Sequence, residues 1–115
     1  MTKATRRLAS EVAAFNEANR KLRAALEQFE NANAGLAQRV QGGDRLVDAL
    51  KGVGAPEPRL EINEALEEFE VARHRVRVAM FARAIEDGTS MSEVGRALGV
   101  SRQLSARLGA EARKL

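Results

Sequence analysis

The chain has 115 residues, 44% of them apolar and 30% charged, with a net charge of +3. That balance fits one packed domain and excludes wholesale disorder. The absence of cysteine excludes disulfides and thiolate metal sites, no apolar run approaches the roughly 20 residues that span a bilayer, and Glu11 interrupts the N-terminal apolar stretch, against a secretory signal. Aromatic residues are only 3%; Ala and Leu dominate, a composition that favours helix over strand.

The expected fold is all-α: a long heptad-patterned N-terminal helix, a second long helix, and a C-terminal helix-turn-helix. Residues 1–41 read as an oligomerisation helix. In it Leu8, Val12, Phe15, Asn19, Leu22, Leu26, Phe29, Asn33, Leu36 and Val40 recur in 4-3 spacing, the signature of a coiled-coil seam. Leu8, Phe15, Leu22, Phe29 and Leu36 take d positions. Val12, Asn19, Leu26, Asn33 and Val40 take a positions. The span is about 50 Å of helix, and Gly35 weakens its last turns. Asn at an a position fixes register by pairing with a partner Asn, or else faces a wet part of a bundle. Small residues line this seam where a two-stranded zipper carries charges: Ala18, Ala25 and Ala32 at g, Ala9 and Ala37 at e. Such edges suit a bundle or an antiparallel pair.

Residues 42–58, GGDRLVDALKGVGAPEP, hold four glycines and both prolines and read as a connector. Asp44 is expected to cap a short helix carrying Leu46, Val47 and Leu50. Neither glycine-rich phosphate-binding fingerprint is present.

Residues 59–115 read as a helix followed by the helix-turn-helix. The helix is expected over 59–87, opened by Pro58 and closed by Gly88. One stripe (Ile62, Leu66, Phe69, Val76, Met80, lined by Ala65, Ala72 and Ala79) is expected against the N-terminal helix. A second set, Val78, Phe81 and Ile85, is expected beneath the terminal motif. Five acids at 61, 64, 67, 68 and 70 begin this helix, whereas residues 71–115 carry nine bases and four acids.

The chain ends SMSEVGRALGVSRQLSARLGAEARKL. Ser90-Met91-Ser92-Glu93 is a capping box. Met91, Val94 and Leu98 point inward on a short helix, and Gly95 leaves room for a crossing helix. Gly99 supplies the left-handed corner, Val100 plugs the core, and Ser101 caps the next helix. Leu104 and Leu108 face inward. Arg102, Gln103, Ala106 and Arg107 then lie outward on its first turns, where a recognition helix meets base edges in the major groove. Arg suits guanine O6 and N7, and Gln suits adenine N6 and N7. Ser92, Arg96 and Ser101 are placed for phosphates.

The run EVGRALGVSR, followed by AEARKL, resembles the helix-turn-helix in the C-terminal, promoter-reading domain of bacterial primary sigma factors. The resemblance covers residues 90–115 only. It implies that Arg102, Gln103 and Arg107 contact bases or phosphates. Ser105 stands where that family has a β-branched residue, and no part of the chain resembles the promoter-melting domain. Arg outnumbers Lys 15 to 4, a bias that accompanies GC-rich bacterial or phage coding sequence.

The lone His74 is expected at the surface without a ligand role. Arg73 and Arg77 share a helix face and are expected to pair with Glu70 and other acids one turn away. The acids at 61–70 are expected to complement the helix dipole, not to catalyse a reaction. No Ser-His-Asp or Cys-His set is available, so the chain is not expected to be an enzyme or to need a cofactor or metal. The expectation is a cytoplasmic, nucleoid-associated homodimer that binds double-stranded DNA and regulates transcription, as a repressor. The alternatives are a nucleoid-architectural or plasmid/phage partition protein, and a helical adaptor for a transcription-machinery subunit.

Overall fold

A computed structural model describes residues 1–115 as five α-helices. They are α1 (Lys3–Gln41), α2 (Leu46–Gly52), α3 (Pro56–Glu86), α4 (Met91–Leu98) and α5 (Arg102–Arg113). The fold is all-α, and the two long helices pack together. No helix is long and apolar enough to cross a membrane.

Two compact units form, one from Met1–Asn16 with Val71–Leu115 and the other from Glu17–Glu70. Their boundaries fall inside α1 and α3, not at the 42–58 connector, because both long helices contribute to both units.

In the Glu17–Glu70 unit the long helices are antiparallel. Lys21 Nζ lies 3.5 Å from Glu68 Oε2, Ala25 packs with Ile62 and Ala65, and Gly35 lies close to Val53. Residue numbers thus fall along α3 as they rise along α1. The buried α1 residues are Ala18 and Ala25, both at g positions, with Leu22 and Phe29 half-buried beside them. Alanine carries no side-chain entropy to lose and lets the two backbones approach. The inward face is therefore the d row plus the small g residues. From Leu26 on the a row faces outward: Leu26 is 46% exposed, Val40 44%, and Asn33 is exposed, whereas Asn19 is half-buried. On α3, Leu66 also departs from its expected burial and is 45% exposed.

Two local expectations are corrected in the connector. Asp44 does not cap α2. The N-cap position is Arg45, with no side-chain cap bond, and Asp44 Oδ2 lies 3.4 Å from Arg39 Nη1. The ion pair with the end of α1 takes the carboxylate away from the α2 amides. The second long helix starts at Pro56, three residues before the expected boundary. Both Pro56 and Pro58 fit its first turn, where backbone N–H groups have no intrahelical acceptor.

In the other unit, Val78, Phe81, Leu108 and Ala112 form the buried centre. Ala82, Met91, Val94, Leu98 and Leu104 close around it. Phe81 and Leu108 are fully enclosed. The C-terminal half of α3 is thus the platform on which α4 and α5 rest. Ile85 is not part of that platform; it is 37% exposed. Val100 is half-buried outside the apolar cluster and does not plug it. It follows the corner, and its N–H is turned to Gly95 O.

Phe81 is the largest side chain in this core, and its removal leaves a cavity that three helices cannot close together. Phe81→Ala is expected to lower unfolding stability by about 3–5 kcal/mol. Leu60→Ala, at a 60% exposed position, is expected to stay within about 0.5 kcal/mol. Urea titration followed by circular dichroism measures both.

Candidate nucleic-acid interface

Each helix of the terminal motif is started by a serine. Ser90 has extended backbone angles, and its Oγ accepts the Glu93 N–H at 3.2 Å. Ser101 repeats the arrangement, its Oγ accepting the Leu104 N–H at 3.1 Å. Each bond satisfies one of the amides that a helix N-terminus leaves unpaired.

Between them the corner is made by Gly99, at φ 81° and ψ 28°. This left-handed conformation strains any residue with a Cβ. The N–H groups of Gly99 and Val100 both donate to Gly95 O, at 2.9 and 3.0 Å. The turn is thereby closed onto the last part of α4.

The crossing of α4 over α5 is set by absent side chains. A Cβ placed on Gly95 would collide with Ser105 Oγ and lie 3.1 Å from Ser105 Cβ. Ser105 itself is 4% exposed. A small serine at that position matches a glycine opposite; a β-branched residue would need more room. One helical turn later, a Cβ on Gly109 would come within 2.7 Å of Met91 Sδ. The two contacts fix how far α5 is turned about its own axis.

That rotation decides which α5 residues face outward. Arg102, Gln103, Ala106 and Arg107 are all exposed, as are Ser92, Arg96 and Ser101. A shallow cleft of about 340 Å³ between the two helices is lined by Ser92, Gly95, Arg96, Arg102 and Ala106, among others. It gathers Ser92, Arg96, Arg102 and Ala106. Gln103 and Arg107 are not part of its lining; they occupy the neighbouring strip of α5. The Ser101 hydroxyl is engaged in capping, which leaves its proton as the donor for any further contact.

His74 is not an unpartnered surface residue. Its Nε2 lies 2.7 Å from Glu111 Oε2, with both side chains about half exposed. The pair links α3 to the second half of α5. The residues are 37 positions apart, and no spacing rule connects them in the sequence.

The two units differ sharply in charge. The unit carrying α4 and α5 holds twelve bases and five acids, a formal +7. The Glu17–Glu70 unit holds seven bases and eleven acids, a formal −4. The net +3 of the chain conceals this segregation. In the acidic unit Glu61, Glu64 and Glu68 line a shallow groove with Lys21, and no group of three or more His, Asp or Glu side chains is placed to hold a metal ion.

No family model, no curated protein and no solved structure matches the chain.

Because the α4–α5 crossing has no room for a methyl group, Gly95→Ala is expected to cost about 1–3 kcal/mol of stability by overpacking. Ser101→Ala is expected to cost about 1 kcal/mol through loss of the cap. Both are read as shifts of the urea midpoint at unchanged slope.

Proposed function

We propose that the chain is a dimeric, sequence-specific DNA-binding transcription regulator that inserts the first turns of α5 into the major groove. One observation carries the reading: a serine-capped helix, held by a glycine corner, presents Arg102, Gln103 and Arg107 to solvent from a unit of formal charge +7. The residues are of the kinds that read base edges, and the surrounding charge attracts and positions phosphate. The likeness of residues 90–115 to the promoter-reading motif of sigma factors points the same way.

In this reading Arg102 bonds guanine O6 and N7, and Gln103 bonds adenine. Ala106 leaves room for a thymine methyl group. Ser92, Arg96 and Ser101 hold the backbone across the groove, and Arg107 contacts either a base or a phosphate. The protein regulates by occupying its site.

A single recognition helix buries little surface, and a second linked head makes the next contact intramolecular. The outward a row of α1, with Leu26 and Val40 each more than two-fifths exposed and Asn33 between them, is the surface we assign to pairing of two copies. In an antiparallel pair centred on Asn33, Leu26 lies opposite the partner's Val40. Two-fold symmetry then asks for a roughly palindromic site with half-sites about 34 Å apart, or a multiple of it.

Selection of bound fragments from random duplex DNA tests the reading. The wild-type chain is expected to enrich one sequence pattern. Arg102→Ala is expected to relax preference at one base pair and to cost about 1–3 kcal/mol there. Broad recovery without a pattern would favour an architectural role, and no recovery at all would favour an adaptor that binds protein. Independently, Leu26→Glu is expected to bring the mass in light scattering down to one chain; an unchanged mass removes the a row from the pairing surface.

A further inference from the structure

The terminal helix does not end where its base-reading residues end. Arg113 lies eleven residues after Arg102, three helical turns on, and so shares its side of α5. Beyond it a second cleft, of about 310 Å³, opens at the C-terminal end of the helix. Its walls carry Lys3 and Arg7 from α1 and Arg113 from α5, with Glu86 of α3 as the one carboxylate side chain. Lys3, Arg7 and Arg113 form no ion pair. Three cations from segments about a hundred residues apart in sequence thus line one cleft with a single acidic side chain, and Leu115 completes its wall.

Helix physics gives no reason for two of these cations to be there. The first turn of α1 contains no acidic residue, and Lys3, Arg6 and Arg7 all lie near the helix end where the macrodipole disfavours positive charge. Arg6 is occupied, donating from Nη1 to Met1 O at 2.7 Å. Lys3 and Arg7 have no such compensation.

We propose that this cleft is a second, sequence-independent phosphate clamp for the same duplex. The proposal rests on the DNA-binding reading above. From Arg102 to Arg113 the helix runs about 16 Å, and the major groove is about 12 Å wide. A helix whose first turns lie in the groove therefore brings its last turn to the bordering sugar–phosphate strand. There Arg113, Arg7 and Lys3 meet phosphate oxygens, which position the protein and carry no base information. The N-terminal turns of α1 thereby serve as part of the DNA interface as well as part of the helical scaffold.

The experiment is a salt titration with the full-length chain. Fluorescence anisotropy follows binding to a labelled duplex carrying the selected site and to a scrambled duplex, between about 50 and 200 mM salt. The variants are Lys3→Gln with Arg7→Gln, Arg113→Gln, and the charge-keeping Arg7→Lys. Each lost phosphate contact is expected to flatten the plot of log K against log salt by about 0.9. Affinity should fall by the same factor on both duplexes, so that their ratio is unchanged, and Arg7→Lys should keep the wild-type slope. Circular dichroism confirms that the variants are folded. A wild-type chain that binds with a slope the Gln variants leave unaltered overturns the clamp alone. A loss confined to the selected site also overturns it, since that is base reading. A wild-type chain that binds neither duplex overturns the clamp together with the reading beneath it.

Discussion

Two helices can cross at backbone-to-backbone range only where the facing side chains are small, and in this chain that condition is met at Gly95 and Ser105. The missing Cβ of Gly95 lets the Ser105 side chain occupy the space, and Gly109 makes the corresponding allowance for Met91. Everything outward on α5 follows from that fit. With the helix seated through Leu104, Ser105, Leu108 and Ala112, Arg102, Gln103, Ala106 and Arg107 have no inward option. The Gly99 corner and the two serine caps fix where the helix begins; the crossing fixes which way it is turned.

Beneath the motif, α3 has two tasks on opposite stretches of one helix. Its first half uses Ile62 and Ala65 to pack with α1. Its second half uses Val78 and Phe81 to support α4 and α5. A sequence with one apolar stripe could do only the first. Val76, Val78, Ala79 and Phe81 are all buried, so this part of the helix is enclosed on more than one side. The dense cluster there lets the terminal motif be held by packing, while the acids of α3 from Glu57 to Glu70 remain in the unit of opposite charge.

The terminal motif was legible almost residue by residue because its signals are local. A capping serine, a glycine corner and a second capping serine each act within four residues, and backbone chemistry leaves few alternatives. The all-α class was legible for a similar reason, from the composition and the 4-3 pattern. The seam of α1 was less so. A heptad pattern states that a stripe is apolar, but not which edge meets an intrachain partner; Ala18 and Ala25 were visible as small edge residues, and their tight packing needs the antiparallel α3 to be in place. Asp44 illustrates the opposite failure. Its position before α2 matched a capping rule, yet Arg39 at the end of α1 offered a charged partner across the turn. The His74–Glu111 pair and the meeting of Lys3, Arg7 and Arg113 are tertiary events, joined by the fold and by no spacing in the chain.

The charge of the molecule is organised by the fold in a way that its net value hides. Cations from the first turns of α1 join those of the last forty-five residues, and the acids of α3 other than Glu86 fall in the other unit. A polyanion is attracted by the field of the first unit and repelled by that of the second.

Backbone amide chemical shifts, followed as duplex is titrated into the labelled chain, test the central claim most directly. The account predicts shifts concentrated at Arg102, Gln103, Ala106 and Arg107, with the amides of Glu17–Glu70 scarcely moved. Shifts gathered along the apolar a row or the connector instead, with the first turns of α5 undisturbed, would contradict it.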